Sequence, residues 1–133
     1  MRKMIPLLLM VFLLLTFGCA TTSTMRNVSL DNGIPKIFVA SLDLVLKATQ
    51  KSVTQSGLQV EEITQLDDET WIIIGNKDTS AWSWGELVRV TVQKKSETET
   101  LVRVFTKRKL ATNITAKGDY SQVILSNIDL NLR

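Results

Sequence analysis

Two stretches in the middle of the chain alternate apolar and polar residues with a period of two, and this pattern constrains the fold most. They cover residues 87–95 and 100–107. The valines of one parity are Val88, Val90 and Val92 in the first stretch and Val102 and Val104 in the second. Because successive side chains of a strand point to opposite faces, the pattern predicts two antiparallel strands with the valines on one buried face.

The charged residues of these strands indicate how they pair. Pairing Val90 with Val104 leaves a short loop between the strands and places Arg89 beside Phe105 on the opposite face. A shift by two residues would set Arg89 against Lys107, and like charges directly opposite each other destabilise a sheet. We therefore predict the first register.

A second hairpin is predicted further towards the N-terminus. Residues 58–65 and 71–76 flank the polar run Asp67-Asp68-Glu69-Thr70, which is typical of a turn between strands. The run Trp71-Ile72-Ile73-Ile74 is apolar on both faces, so we expect a covered central strand. Residues 110–116 alternate again and indicate an extra strand, which gives a sheet of four or five strands.

A helix is predicted before the sheet. Its apolar residues at helical spacing are Phe38, Leu42, Val45, Leu46 and Val53. Pro35 suits the first turn, where its missing N–H costs nothing. Gly57 suits the end of the helix as the C′ residue of a Schellman motif in which Leu58 contacts Val53.

A second helix is predicted after the sheet, which sets the fold class. Gly118 breaks the strand pattern, and Asp119 with Gln122 three residues later forms a capping-box signature. Two helices with apolar stripes need a sheet face to cover. The prediction is a single α+β domain over residues 35–133: a two-layer sandwich of an antiparallel sheet with two helices on one face.

The N-terminal region has the marks of a secretory signal peptide. Arg2 and Lys3 precede a run from Ile5 to Phe17 that carries no charge. This run is shorter than the roughly 20 apolar residues that span a bilayer. A basic start, a short apolar run and a small residue before the cut are the features of a signal peptide.

The run Leu15-Thr16-Phe17-Gly18-Cys19 resembles the end of a bacterial lipoprotein signal peptide. The resemblance implies removal of residues 1–18, with diacylglycerol on the Cys19 sulfur and an acyl chain on the new amine. Several acyl chains hold a protein stably on a membrane, whereas one holds it only marginally. An ordinary secreted protein with Cys19 near the cut, or an uncleaved anchor, is the alternative.

The residues after the cysteine concern location and attachment. In lipoproteins of bacteria with two membranes, an aspartate after the cysteine favours inner-membrane retention, and here this residue is Ala20. The resemblance implies the outer membrane, with the domain facing the periplasm. Residues 19–34 are predicted as the acylated cysteine and a flexible tether. The whole pattern is similar to small bacterial lipoproteins of uncharacterised function, which supply no active site to transfer.

Composition excludes several classes of function. The chain has no histidine and one cysteine, which excludes Ser-His and Cys-His nucleophile pairs and the commonest metal ligand. Loss of Arg2 and Lys3 leaves 14 of the 16 basic residues against 13 acidic ones, so the charge gives no argument for nucleic acid. We predict a protein that is not an enzyme and has no cofactor beyond the lipid on Cys19.

Two charged runs are weaker candidates for sites. Asp67-Asp68-Glu69 offers oxygen ligands for Ca²⁺ or Mg²⁺, but it lacks the Gly and the distal Glu of an EF-hand, so we predict a solvated turn and no metal. Lys107-Arg108-Lys109, with Lys94-Lys95 expected near the end of the neighbouring strand, forms a basic concentration suited to anionic headgroups, glycan or an acidic partner. The alternative is that these charges protect exposed strands from aggregation.

The face opposite the valines is the main candidate for a binding surface. Its residues, with the tryptophans of the preceding loop, are Trp82, Trp84, Arg89, Arg103, Phe105 and Lys107. If the helices cover the valines, this face is open, and aromatic residues and arginine are enriched at interface hot spots. The alternative is that Phe105 and the tryptophans cap one end of the core.

These observations lead to ordered functional hypotheses. The first is a non-enzymatic interaction or structural module that contacts another envelope protein through the open face. The second is a binding module for an anionic small or polymeric ligand, a glycan or a lipid, through the same cationic and aromatic surface. An enzyme would have to use carboxylates, lysines or Tyr120, and the sequence shows no arrangement of them typical of a catalytic site.

Overall fold

The computed structural model describes residues 21–78, 85–109 and 118–133. Within these ranges the chain forms three helices and five strands. In chain order they are α1 (Thr22–Arg26), β1 (Ile34–Phe38), α2 (Leu42–Gln55), β2 (Gln59–Asp67), β3 (Thr70–Lys77), β4 (Glu86–Lys94), β5 (Thr100–Arg108) and α3 (Ser121–Asn131). The strand predicted at 110–116 lies outside the described residues.

The strands form one open antiparallel sheet in the order β1-β5-β4-β3-β2. With the helices, it confirms the predicted α+β class. The predicted β2–β3 hairpin is present, and β3 lies between β2 and β4, as its run of apolar residues indicated. The edges of the sheet are β1 and β2.

The register of the β4–β5 hairpin is the predicted one. Val90 lies opposite Val104, and Arg89 lies opposite Phe105. The sheet face that carries Val88, Val90 and Val104 is called the valine face below. The face that carries Arg89 and Phe105 is called the second face.

The main core joins the valines to side chains of two helices. Its members include Val45 and Val53 from α2 and Ile124 and Ile128 from α3, all of them buried. Fully burying an aliphatic side chain of this size contributes about 1.5–3 kcal/mol. The core therefore supplies most of the hydrophobic stabilisation of the described domain.

The end of α2 confirms the predicted Schellman motif. The Leu58 N–H donates to the Val53 carbonyl at 3.4 Å, and the Gly57 N–H donates to the Thr54 carbonyl at 3.0 Å. Gly57 has a φ of +80°, the left-handed conformation that the motif requires and that glycine adopts without strain. Val53 and Leu58 are both buried in the core.

The start of α2 differs from the prediction. Pro35 lies in β1 and pairs with Arg103, and α2 begins only at Leu42. Proline fits an edge strand because such a strand has one side without a hydrogen-bonded neighbour, and the residue before a proline is biased to extended backbone. Since β1 begins at Ile34, the domain also begins before the predicted boundary at residue 35.

The start of α3 also differs in detail. The helix is present, but its N-cap is Tyr120, and the predicted capping box of Asp119 with Gln122 is not formed. Asp119 Oδ1 instead accepts the Ser121 N–H at 2.9 Å. An aspartate that bonds the backbone two residues on forms an Asx turn, which competes with the capping geometry.

Residues 21–34, predicted as part of a flexible tether, are largely structured. Thr21 caps α1 in a capping box with Thr24, and Met25 in α1 is fully buried. This segment packs against the second face of the sheet, and its attachments are described next.

Candidate binding surface

Arg89 lies at the centre of the second face and is fully buried. Its guanidinium donates to the carbonyls of Met25 (3.1 Å), Val28 and Ser29 (2.6 Å), which belong to the end of α1 and the turn after it. A cation at a helix C-terminus is favourable because the unpaired carbonyls there carry partial negative charge. The prediction of an open surface is therefore wrong at Arg89, because α1 and the following turn cover this residue.

The electrostatic setting of Arg89 is unusual. No carboxylate among the described residues lies within salt-bridge distance of it, and its Nε atom has no hydrogen-bond partner there. Burial lowers the pKa of the guanidinium, but arginine remains protonated in proteins. Within the described residues, the hydrogen bonds of the guanidinium thus go to backbone carbonyls and to no carboxylate.

Two glutamates on β2 hold α1 from its other side. Arg26 pairs with Glu62 through two hydrogen bonds, Nε to Oε1 at 2.9 Å and Nη2 to Oε2 at 2.6 Å, while Thr22 donates to Glu61 at 2.7 Å. The hydrogen bond from Arg26 lowers the pKa of Glu62. The ion pair of Arg26 with Glu62 is therefore fully formed at pH values above the ordinary pKa of a glutamate. It is lost as the pH falls through the lowered pKa of Glu62.

A β-bulge allows both glutamates to reach α1. Val60 pairs with Gly75 and Glu62 pairs with Ile74, so Glu61 is an extra residue in the ladder. Adjacent side chains in a regular strand point to opposite faces, whereas a bulge breaks this alternation.

Phe105 belongs to a second, smaller core under α1. It packs, half-buried, against the buried cluster of Met25, Ile74 and Leu87. Its ring centroid lies 5.9 Å from the Arg89 guanidinium carbon, within the range of a cation–π contact. Phe105 is therefore a packing residue as well as part of the partly exposed surface.

The remaining predicted surface residues are only partly brought together. Arg103 is half-buried opposite Thr91, and Lys107 is exposed near the end of β5. Trp82 and Trp84 lie outside the described residues, as does Cys19. The structure thus places Arg89 opposite Phe105, and Lys107 two residues further along the same face towards the end of β5.

A cavity of about 240 Å³ lies beside Arg103. Its lining residues are Leu30, Asp31, Thr91, Gln93, Leu101 and Arg103. The buried Thr91 hydroxyl has no hydrogen-bond partner among the described residues. One residue of the predicted surface, Arg103, thus lines a partly polar cavity.

The two basic runs lie at opposite ends of the hairpin, so the predicted single basic concentration is wrong. Lys94 pairs with Thr100, whereas Arg108 pairs with Glu86. Eight residues of strand separate Glu86 from Lys94, a distance of roughly 25 Å at about 3.3 Å per residue. The error arose because the two strands run in opposite directions.

A buried acid lies on the valine face beside the start of α3. Glu86 is 2% exposed, its Oε1 has no partner in the described ranges, and its carboxylate accepts a hydrogen bond from Tyr120. Burial, and then the hydrogen bond and negative charge of Glu86, raise the pKa of Tyr120 to about 12.

The acidic turn between β2 and β3 has the form of a solvated turn. The Glu69 N–H donates to Asp67 Oδ1 at 2.8 Å, and the acidic side chains of this turn are exposed. Among residues 21–78, 85–109 and 118–133, no group of three or more acidic or cysteine side chains is arranged to hold a metal ion.

Comparisons with known proteins do not assign the chain to a family. No protein-family model matches the sequence, and no curated protein matches it. Across the described part of the chain, no helix is both long enough and apolar enough to cross a membrane.

Sequence reasoning missed α1 and its attachments. The signal that was present is the capping pattern of Thr21 with Thr24 directly before Met25 and Arg26. A helix of five residues has no periodic stripe, so only its cap and its buried methionine distinguish it from a polar linker.

We expect Arg89→Met to release α1 while the sheet stays folded. Methionine fills a similar space but donates no hydrogen bond, so three carbonyls lose the guanidinium, and only Ser29 keeps another donor, the Asn32 N–H; the cost is about 2–4 kcal/mol. Detachment limits this loss because water then reaches the carbonyls. Amide hydrogen exchange should accelerate at least tenfold, by order of magnitude, over residues 24–29, and little in β4 and β5.

Arg103→Met is the matched control on the same face, because its side chain bonds none of these carbonyls. It should leave exchange in α1 unchanged. Unaltered protection of α1 in Arg89→Met would contradict the role assigned to Arg89.

Phe105→Ala should lower the free energy of unfolding by about 2 kcal/mol, because it empties part of the second core. Lys107→Ala, at an exposed position on the same strand and face, should change it by less than about 0.5 kcal/mol. Urea unfolding with an unchanged slope measures both values. Equal midpoints for the two variants would make Phe105 a surface residue instead.

The single tyrosine allows a direct titration. Tyrosinate absorbance should appear near pH 12 rather than at the ordinary pKa of about 10. Because folding favours the protonated phenol, its contribution to stability is complete below about pH 10 and is lost as the pH rises through 12. Glu86→Gln should lower the pKa part of the way, since burial remains; titration near 10 in the folded protein would refute the buried pair.

Proposed function

We propose that this protein is a lipoprotein held on the periplasmic side of the outer membrane through acylated Cys19, and that its domain acts as a non-enzymatic interaction or structural module. The observation that carries the proposal is the attachment of α1 to the sheet by Arg89, Glu61 and Glu62. Only Ala20 separates Cys19 from the N-cap Thr21. An anchor at Cys19 is thereby joined almost directly to the folded domain.

We propose a layered arrangement in which α2 and α3 lie together over the valine face and α1 lies over the second face. Asn131 donates to Ser52 at 2.9 Å and Asn127 donates to Ser56 at 3.2 Å, which links the two long helices. The Ser121 hydroxyl donates to the Val104 carbonyl at 3.2 Å and ties α3 to β5. Both helices contribute to the same core as the valines.

The non-enzymatic assignment is supported by how the buried charged groups are used. Arg89 donates hydrogen bonds to backbone carbonyls, and Glu86 accepts a hydrogen bond from the Tyr120 hydroxyl. The sequence offers no histidine to act beside them as a proton shuttle near neutral pH.

The proposed contact with another envelope component uses the part of the second face that α1 leaves uncovered. Arg103 and Phe105 are half-exposed there. Along the adjoining edge strand, Ile37 is 57% exposed, and Val39 just after the strand is 84% exposed. Apolar side chains beside arginine and an aromatic ring are the composition typical of the centre of an interface.

The alternative is binding of an anionic ligand, a glycan or a lipid. The cavity beside Arg103 favours it, because the cationic side chain and the unpartnered Thr91 hydroxyl lie at one concavity. Photo-crosslinking from position 103 in the membrane-anchored protein distinguishes the two: a covalent protein adduct supports the interaction module, whereas a glycan or lipid adduct supports the alternative.

Cys19→Ser should release the protein from membranes while its circular dichroism stays that of the folded domain, because the substitution removes the acylated sulfur and changes no residue of the described core. Ala20→Asp is the matched control: by the lipoprotein resemblance it keeps the anchor and moves the protein to the inner-membrane fraction. A Cys19→Ser protein that remains on membranes washed at high salt would refute the lipid anchor.

A further inference from the structure

Helix α1 begins over one particular end of the sheet. Thr22 donates to Glu61, and Glu61 accepts a second hydrogen bond from Asn76. Asn76 pairs with Gln59 and with Leu87, so it lies where β2 begins, β3 ends and β4 begins. This end of the sheet is called the anchor end below, because the chain reaches α1 there from Cys19.

Exposed basic side chains lie at the anchor end. Lys77 ends β3, where its ammonium donates to the Gly57 carbonyl at 3.3 Å, and Lys107 and Arg108 end β5. The exposed acids there are Asp78, Asp119 and Glu61, which accept hydrogen bonds from neighbouring groups and keep their charge, so this end of the described domain is close to neutral. At about 4.8 Å per strand spacing, Lys77 on β3 lies roughly 5 Å from β2, where α1 begins, and Lys107 and Arg108 on β5 lie roughly 15 Å from it.

The opposite end of the sheet, called the distal end, is acidic. Its exposed acids are Asp43, Asp67, Asp68, Glu69, Glu97 and Glu99, against the bases Lys94 and Lys95. Lys94 pairs with Glu97 at 2.5 Å, and this ion pair, with Glu69 and Asp43 adding to it, raises the pKa of Lys94. Charge in the described domain is thus separated along the direction of the strands.

The short connection to Cys19 fixes which end faces the membrane. Two residues span at most about 7 Å, so an acylated Cys19 holds the anchor end within about one Debye length, roughly 8–10 Å, of the lipid headgroups. The distal end is roughly 25 Å further away, where exposed charges are screened from the surface.

We infer that the anchor end, through Lys77, Lys107 and Arg108, is a docking surface for the anionic phospholipid headgroups of the membrane that holds the anchor. Each basic side chain near an anionic surface adds attraction, whereas the acidic distal end is repelled. An acyl anchor alone permits the domain to rotate; the docked α1 and the basic anchor end together hold the sheet upright. The orientation rests on the proposed acylation of Cys19, whereas the headgroup contact does not.

The test uses the acylated full chain in vesicles of phosphatidylcholine, with and without an equal part of phosphatidylglycerol. Gln59→Cys at the anchor end and Thr98→Cys at the distal end each supply one free thiol for a membrane-impermeant maleimide. Phosphatidylglycerol should slow labelling at position 59 several-fold, with reversal at high salt, and should not change labelling at position 98.

Charge reversal supplies the matched variants. Lys107→Glu with Arg108→Glu should abolish the effect of phosphatidylglycerol, and Lys94→Glu with Lys95→Glu at the distal end should preserve it. Equal labelling at position 59 in both vesicles, or slowing at position 98 instead, would overturn the inference and point to a protein partner or to free rotation.

Failure of the anchor is separable from failure of the docking. If the full chain carries no acyl group and washes off vesicles of pure phosphatidylcholine, the lipid anchor at Cys19 is contradicted. Co-sedimentation of the Cys19→Ser chain with phosphatidylglycerol vesicles at low salt still tests the anchor end. It should fall at least threefold, by order of magnitude, in the Lys107→Glu, Arg108→Glu variant and stay unchanged in the distal variant; equal sedimentation of the two would overturn the headgroup contact.

Discussion

The buried guanidinium of Arg89 is the interaction on which the second face of the sheet depends. It supplies hydrogen bonds to carbonyls of Met25, Val28 and Ser29, and the Ser29 carbonyl also accepts from the Asn32 N–H at 3.1 Å. Burial of a charge costs free energy, and the hydrogen bonds that it forms offset that cost. The arrangement therefore contributes little net stability. Its effect is to specify position: the N-terminal segment lies on the sheet only where its carbonyls meet the guanidinium. The small core of Met25 and Phe105 then forms beneath it.

The sequence predicted the features that depend on local pattern. The valine alternation and one like-charge clash were enough for the β4–β5 register, and Gly57 marked the end of α2 because few residues other than glycine adopt its φ. Pro35 shows the limit of such reasoning. Its fixed φ suits a helix start and an edge strand equally. The strand is formed because Pro35 pairs with Arg103 on β5, which is far away in the sequence.

The candidate surface was less predictable, because burial on the second face is decided by a segment with almost no signal of its own. The same parity that places the valines inward places Arg89 outward, and nothing near Arg89 in sequence indicates that α1 covers it. Lys94 illustrates a different difficulty. It is close to the other basic run in sequence but lies at the opposite end of the hairpin, beside Glu97. The separation of charge became visible only when strand direction was known.

The extra residue at Glu61 has a consequence for the length of β2. Val60 and Ile63 are three apart, a spacing that in an unbroken strand would send them to opposite faces, yet they lie opposite Gly75 and Ile73 and so share the valine face. The nine residues of β2 match only seven residues of β3, from Thr70 to Asn76, because Leu66 is a second extra residue between Gln65 and Asp67. Removal of Glu61 would bring Val60 and Ile63 two residues apart, so a regular strand would keep both on the valine face and Glu62 opposite Ile74, but the carboxylate that accepts from Thr22 would be lost. The extra residue in this edge strand thus adds a second contact to α1 beside the ion pair of Glu62 with Arg26.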